Sequence, residues 1–89
     1  METIHLVIKG KVQGVFYRAS AKDKAIELGI KGWVKNMRDG NVEVLATADK
    51  GALEKFVEWC RKGPSKAIVS EVVINKSDEK YENDFRIIK

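Results

Sequence analysis

At 89 residues, with 44% hydrophobic and 34% charged side chains, the chain is long enough for one modest core and too short for two. That balance excludes a disordered tail, and no apolar run approaches the ~20 residues of a membrane span. A net charge of +4 favours anionic partners without choosing between a small metabolite and a nucleic acid, while the single Cys60 excludes an internal disulfide and suits a reducing compartment.

Ile4, Leu6 and Ile8 alternate with Thr3, His5, Val7 and Lys9, the period of a half-buried strand. A loop bracketed by Gly10 and Gly14 follows. Tyr17, Ala21, Ala25 and Leu28 then recur at helical spacing, and Gly29 stands where a left-handed C-terminal cap belongs. Residues 30–35 are β-branched and aromatic and predict a second strand. Asp39-Gly40 is a hairpin signal leading into Val42, Val44 and Ala46.

Asp49 is the expected N-cap of a second helix, whose apolar stripe is Leu53, Phe56, Val57 and Cys60 and whose stop is Gly63-Pro64. Residues 67–74 predict a fourth strand, 76–84 a polar turn, and Phe85-Arg86-Ile87-Ile88 a short fifth strand. The order βαββαβ plus this end strand predicts an α+β sandwich, with two helices on one face of an antiparallel sheet and residues 1–89 forming one domain. Glu2 and His5 near the start, with no small-residue cleavage patch, lead us to expect no signal peptide and a cytoplasmic protein.

The first strand and first helix are joined by Gly10-Lys11-Val12-Gln13-Gly14-Val15-Phe16-Tyr17-Arg18. The first four N–H groups of a helix lack intrahelical partners, and Gly14, Val15, Phe16 and Tyr17 include no Ser, Thr, Asp or Asn to cap them. If the helix begins there, its free donors and dipole suit an anion. Arg18 adds a planar cationic fork able to grip two phosphate oxygens. The competing reading is an inert connector: Ser20 with Asp23 resembles a capping box and would start the helix later. A pair of glycines does not by itself separate the two. The loop is not a nucleotide P-loop, since no Lys-Ser or Lys-Thr follows Gly14, and no G-x-G-x-x-G occurs.

A second segment bears on the choice. The nine-residue loop, followed by Gly32-Trp33-Val34-Lys35-Asn36 and Asp39-Gly40, closely resembles the two signature stretches of the acylphosphatase family. The similarity continues through Leu28-Gly29, Val42 and Gly63-Pro64 to Phe85-Arg86-Ile87, almost the whole chain. The resemblance implies a ferredoxin-like fold and metal-independent hydrolysis of carboxyl–phosphate bonds. It implies that Arg18 binds the phosphate, that Asn36 positions the attacking water, and that main-chain amides of Val12, Gln13, Gly14, Val15, Phe16 and Tyr17 form the cradle. It also implies a small-molecule acyl phosphate as partner and no cofactor. One departure stands out: where the family commonly has Thr three residues after the arginine, this chain has Ala21.

The chemistry fits so small a set of groups. A carboxylate leaving group has a conjugate-acid pKa near ~4 and departs without a general acid. The phosphoryl group spreads its charge over three oxygens in a loose transition state, so donors placed around them are the main requirement. Water then needs placement more than activation.

Other residues offer little. One His and one Cys make no zinc constellation; His5 is expected at a strand surface and Cys60 in the core. Trp33 reads as sheet packing, and Lys9, Lys11, Lys31 and Lys35 as solvated strand lysines that enrich the local positive field. Two other functions share the topology. An RNA-binding module would stack bases on aromatics of the first and third strands, where this chain has none, so no nucleic acid is expected. A domain that binds acyl phosphate without turnover is the other. A monomer that does not enter the membrane completes the expectation.

Overall fold

Alternation in β1 (Glu2–Lys11) turns Leu6 and Ile8, both fully buried, to one face of a sheet, and His5, Val7 and Lys9 to the other. The structure is a computed structural model describing residues 1–89. Four more strands join β1: β2 (Lys31–Asn36), β3 (Val42–Ala48), β4 (Ile68–Ser77) and β5 (Phe85–Ile88), in the spatial order β4-β1-β3-β2-β5. Helix α1 (Tyr17–Glu27) lies over β2 and β5, and α2 (Lys50–Lys62) over β4, β3 and β1. The expected α+β, ferredoxin-like sandwich is present.

The core lies between the helices and one sheet face. Tyr17, Ala21 and Ala25 recur every fourth residue on the buried side of α1. Two of them are alanine, so that helix can lie close to β2. On α2 the buried residues are Leu53, Phe56 and Cys60, with Val57 partly buried beside them. Burial pushes the Cys60 thiol up to about 12, so it packs as a small apolar group. The chain leaves α1 through a Schellman turn, Gly29 N–H donating to Ile26 O at 3.1 Å and Ile30 N–H to Ala25 O at 2.8 Å.

Three details differ from the sequence expectation. β4 continues to Ser77, because Asn75, Lys76 and Ser77 still pair with His5, Ile4 and Thr3. An edge strand with one solvated side tolerates polar residues that a central strand would not. Asp49 occupies the N-cap of α2, yet its side chain makes no capping hydrogen bond. Third, β5 pairs parallel to β2, so only the pairings among β1 to β4 are antiparallel and the sheet is mixed.

Chain length accounts for the direction of β5. The link over residues 78–84 must cross about four strand spacings, roughly 19 Å, from one edge of the sheet to the other. Seven extended residues reach about 25 Å. That suffices only for the near end of β2, where Asp84 O accepts from Gly32 N–H at 2.8 Å. A strand started at that end runs alongside β2.

The face away from the helices holds a small polar cluster over Leu45, which is 2% exposed. His5 Nε2 lies 2.6 Å from Glu43 Oε2, and Lys35 Nζ lies 3.4 Å from Glu43 Oε1 and 5.1 Å from the Trp33 ring centre. Partial burial raises the Glu43 carboxyl pKa, but the hydrogen bond with His5 and the charge of Lys35 outweigh it and hold the group below its usual 4.5. A lowered folded-state pKa adds stability above the unfolded value and loses it as pH falls through the folded one. Urea unfolding of the wild type and Glu43→Gln is therefore expected to differ most near neutral pH and to converge on acidification below about 4. A gap that widens with acid would refute this assignment.

Candidate active site

The loop leaving β1 is shaped by a bulge. The β1–β4 register shifts between Lys9 and Gly10, where φ is 129° and a Cβ would fall 2.2 Å from Ile68 O. Only glycine fits there. Further on, φ is positive at Gly14 (75°) and at Phe16 (66°) but not at Val15 between them. Alternation in the sign of φ is the pattern of a nest, in which successive N–H groups turn toward one side and attract an anion. Phe16 is the one non-glycine residue with positive φ, a conformation costing about 1–2 kcal/mol for a residue with a Cβ.

Helix α1 starts immediately after, with Phe16 as its N-cap and no side-chain cap. Ser20 N–H donates to Phe16 O at 3.0 Å, so Ser20 lies inside the first turn and the later start is not used. None of the main-chain N–H groups from Val12 to Phe16 donates to a protein acceptor. The loop is anchored by its side chains instead: Val12 and Val15 are 1% and 6% exposed. Tyr17 Oη donates to Cys60 O at 2.8 Å, and burial keeps its phenol protonated by holding the pKa well above the ordinary range.

Beneath this loop opens a cleft of about 400 Å³ lined by Gly14, Phe16, Arg18, Asn36, Ile87 and Lys89, among others. Sheet register explains how residues 18 apart in sequence meet. Asn36 pairs with Val42, and Val42 with Ile8, so Asn36 ends β2 in the row just before the loop leaves β1. Arg18 takes part in none of the protein's ion pairs. Asn36 Oδ1 is buried with no hydrogen-bond partner. An orphaned buried acceptor costs about 1–3 kcal/mol, and exchanging O and N of the amide would only bury an orphaned donor instead. Ala21 is fully buried and brings no hydroxyl to the region.

Gln13 has a side-chain role that the sequence did not reveal. Its Nε2 donates to Met37 O at 2.7 Å and to Asn41 O at 2.8 Å, the same Asn41 oxygen that accepts from Met37 N–H at 2.8 Å. It thus ties the loop to both ends of the β2–β3 turn, the turn that follows Asn36. The available signal was a primary amide in the middle of an otherwise apolar loop.

The other sequence candidates lie elsewhere. His5 and Trp33 are on the opposite sheet face, and Cys60 is in the core. Lys9 pairs with Glu71 at 3.9 Å on the edge strand. On the face away from the helices, β1 and β3 carry no Phe, Tyr or Trp for base stacking, and the one ring there, His5, is tied to Glu43 at 2.6 Å. No group of three or more His, Cys, Asp or Glu side chains converges to hold a metal ion.

The Acylphosphatase family profile matches residues 4–87. An acylphosphatase of Marinobacter nauticus is 48% identical over 83 residues, spanning 92% of this chain and 90% of that one. A Bacillus subtilis acylphosphatase structure superposes with a TM-score of 0.95 at 32% identity, covering all of both chains. A Coxiella burnetii acylphosphatase structure gives 0.94 at 40% identity, over 98% of this chain and 92% of that one. The chain belongs to the acylphosphatase family.

The Gln13 clamp is testable apart from catalysis. Gln13→Leu is expected to cost about 1–3 kcal/mol, the range for two lost bonds to half-buried carbonyls, read from urea midpoints. Amide exchange at Met37 is expected to quicken with it. An unchanged midpoint and unchanged Met37 exchange would show that the contact does not hold the turn.

Proposed function

We propose that this chain hydrolyses the carboxyl–phosphate bond of acyl phosphates, giving a carboxylate and inorganic phosphate, with no metal ion and with all its groups drawn from one domain. One observation supports the reading above the rest. Main-chain donors with no protein acceptor, an arginine without a counter-ion and an asparagine with an orphaned buried oxygen all border one cleft.

The phosphoryl group of the substrate sits in the nest, its oxygens receiving amide hydrogens from residues 12–17 and the fork of Arg18. Each such donor contributes about 3–4 kcal/mol when aimed at charge that grows in the transition state. The amide of Asn36 holds a water in line with the bond to be broken. As the water oxygen bonds to phosphorus, the bond from phosphorus to the acyl oxygen breaks and its electron pair leaves on the carboxylate. The water's proton passes to a phosphoryl oxygen. With a leaving group whose conjugate acid has pKa ~4, neither a general acid nor a Lewis acid is required. Holding water and phosphorus in line can supply up to ~7–11 kcal/mol.

Phosphate release from acetyl phosphate in EDTA tests this. The wild type is expected to exceed the buffer rate by orders of magnitude. Arg18→Gln is expected to lose about 10²–10³-fold in turnover and to lose inhibition by inorganic phosphate. Asn36→Ala is expected to lose a similar factor in kcat while phosphate still inhibits. Release no faster than in buffer, or release abolished by the chelator, would overturn the proposal. Phosphate inhibition without any release would assign the domain to binding alone.

A further inference from the structure

We propose that the Phe16 side chain is an apolar platform for the acyl portion of the substrate, so that the cleft selects acyl phosphates with an aromatic or bulky aliphatic acyl group over small or cationic ones. This rests on the hydrolase reading above and adds the substrate class to it.

Phe16 is 75% exposed, more than any other large hydrophobic residue except Met1 at 79%. A ring so exposed gives folding almost nothing. Its backbone is equally unhelpful to folding: at φ 66° and ψ 22° it is the chain's one non-glycine residue in the left-handed region. Glycine or asparagine would make the same turn with less strain and no ring in solvent. The ring therefore answers to something outside the folding problem.

Its position supplies the answer. Phe16 lines the same cleft as Arg18 and Asn36, and its own N–H belongs to the loop that would hold the phosphate. An acyl group hangs from one phosphate oxygen, so it must leave the cradle within one side-chain length of that ring. Ala19 and Ile87 continue the apolar lining. The charged residues that line the cleft are Arg18 and Lys89, both cationic. An acyl group bearing an ammonium would meet two cationic side chains and no acidic one. A small acyl group would cover little of Phe16 or Ile87. An aryl group would lose water against the ring and stack on it. The ~400 Å³ of space falls in the range that small organic ligands occupy.

The test compares kcat/KM for benzoyl phosphate and acetyl phosphate in the wild type, Phe16→Asn and Phe16→Leu. Asparagine is chosen because it tolerates the left-handed backbone, and leucine because it keeps an apolar surface. The quantity read is the benzoyl-to-acetyl ratio, in which any shared loss from a disturbed loop cancels. Phe16→Asn is expected to lower that ratio about tenfold, the change that ~1.4 kcal/mol produces, mainly through KM for benzoyl phosphate. Phe16→Leu is expected to retain most of the wild-type ratio. Turnover of both substrates with a ratio unmoved in Phe16→Asn would overturn the platform and leave the hydrolase reading intact. Turnover of neither by the wild type would overturn both.

Discussion

Helix α1 begins without a cap of its own, and that condition governs the arrangement around it. A helix start normally spends a Ser, Thr, Asp or Asn oxygen on its first amides, a contact worth about 1 kcal/mol. Here the N-cap is Phe16, and no acidic residue stands in the first turn to meet the dipole. The helix holds because other contacts fix its start: two buried valines in the loop, the Tyr17 hydroxyl on the end of α2, and the Gly10 bulge that lets the strand pass close to β4. Anchoring by side chains leaves the main-chain donors exposed to the cleft. The same end capped by an aspartate would be more stable by itself and would repel a phosphate.

Rigidity on the other wall comes from the sheet. Asn36 sits on the last residue of β2, hydrogen-bonded into a register that reaches β1 through β3. The turn beyond it is held by Gln13, which belongs to the loop on the facing wall. One side chain therefore sets the spacing between the donors and the asparagine. Ala21, on the buried face of α1, brings no hydroxyl to this part of the fold. No side chain donates to Asn36 Oδ1, so the orientation of that amide depends on the backbone of β2 and on whatever occupies the cleft.

How far the sequence could be read follows from where each signal lies. Strand alternation in Leu6 and Ile8 and the stripe from Leu53 to Cys60 are local and repetitive, and both were legible. So were Gly29 and Gly63, because chain reversals after helices have few chemical solutions. The family's two motifs singled out Arg18 and Asn36, and both line one cleft. Features set by distant parts of the chain were not. The direction of β5 depends on how far residues 78–84 can reach. The polar end of β4 shows no alternation because its outer side faces water. Gln13 acts through carbonyls more than twenty residues away, and no local pattern announces such a partner. The positive φ at Phe16 was hidden because phenylalanine is among the last residues one would place there.

That last misfit has company. Most of the chain obeys the local rules, with apolar residues inside and helices that end where glycine permits. The start of α2 also lacks a side-chain cap, but three exceptions gather in one place. The strained Phe16, the uncapped start of α1 and the orphaned Asn36 oxygen each disfavour the folded state by something on the order of 1 kcal/mol. In a protein of ordinary stability, about 5–15 kcal/mol, defects of that size scattered at random would carry no meaning. Gathered around one cleft with a cationic side chain, the unmet donors and the apolar ring suit the kind of molecule proposed above. It bears negative charge at one end and an apolar body at the other. Binding such a molecule would engage the free donors and the ring together, which offsets their cost.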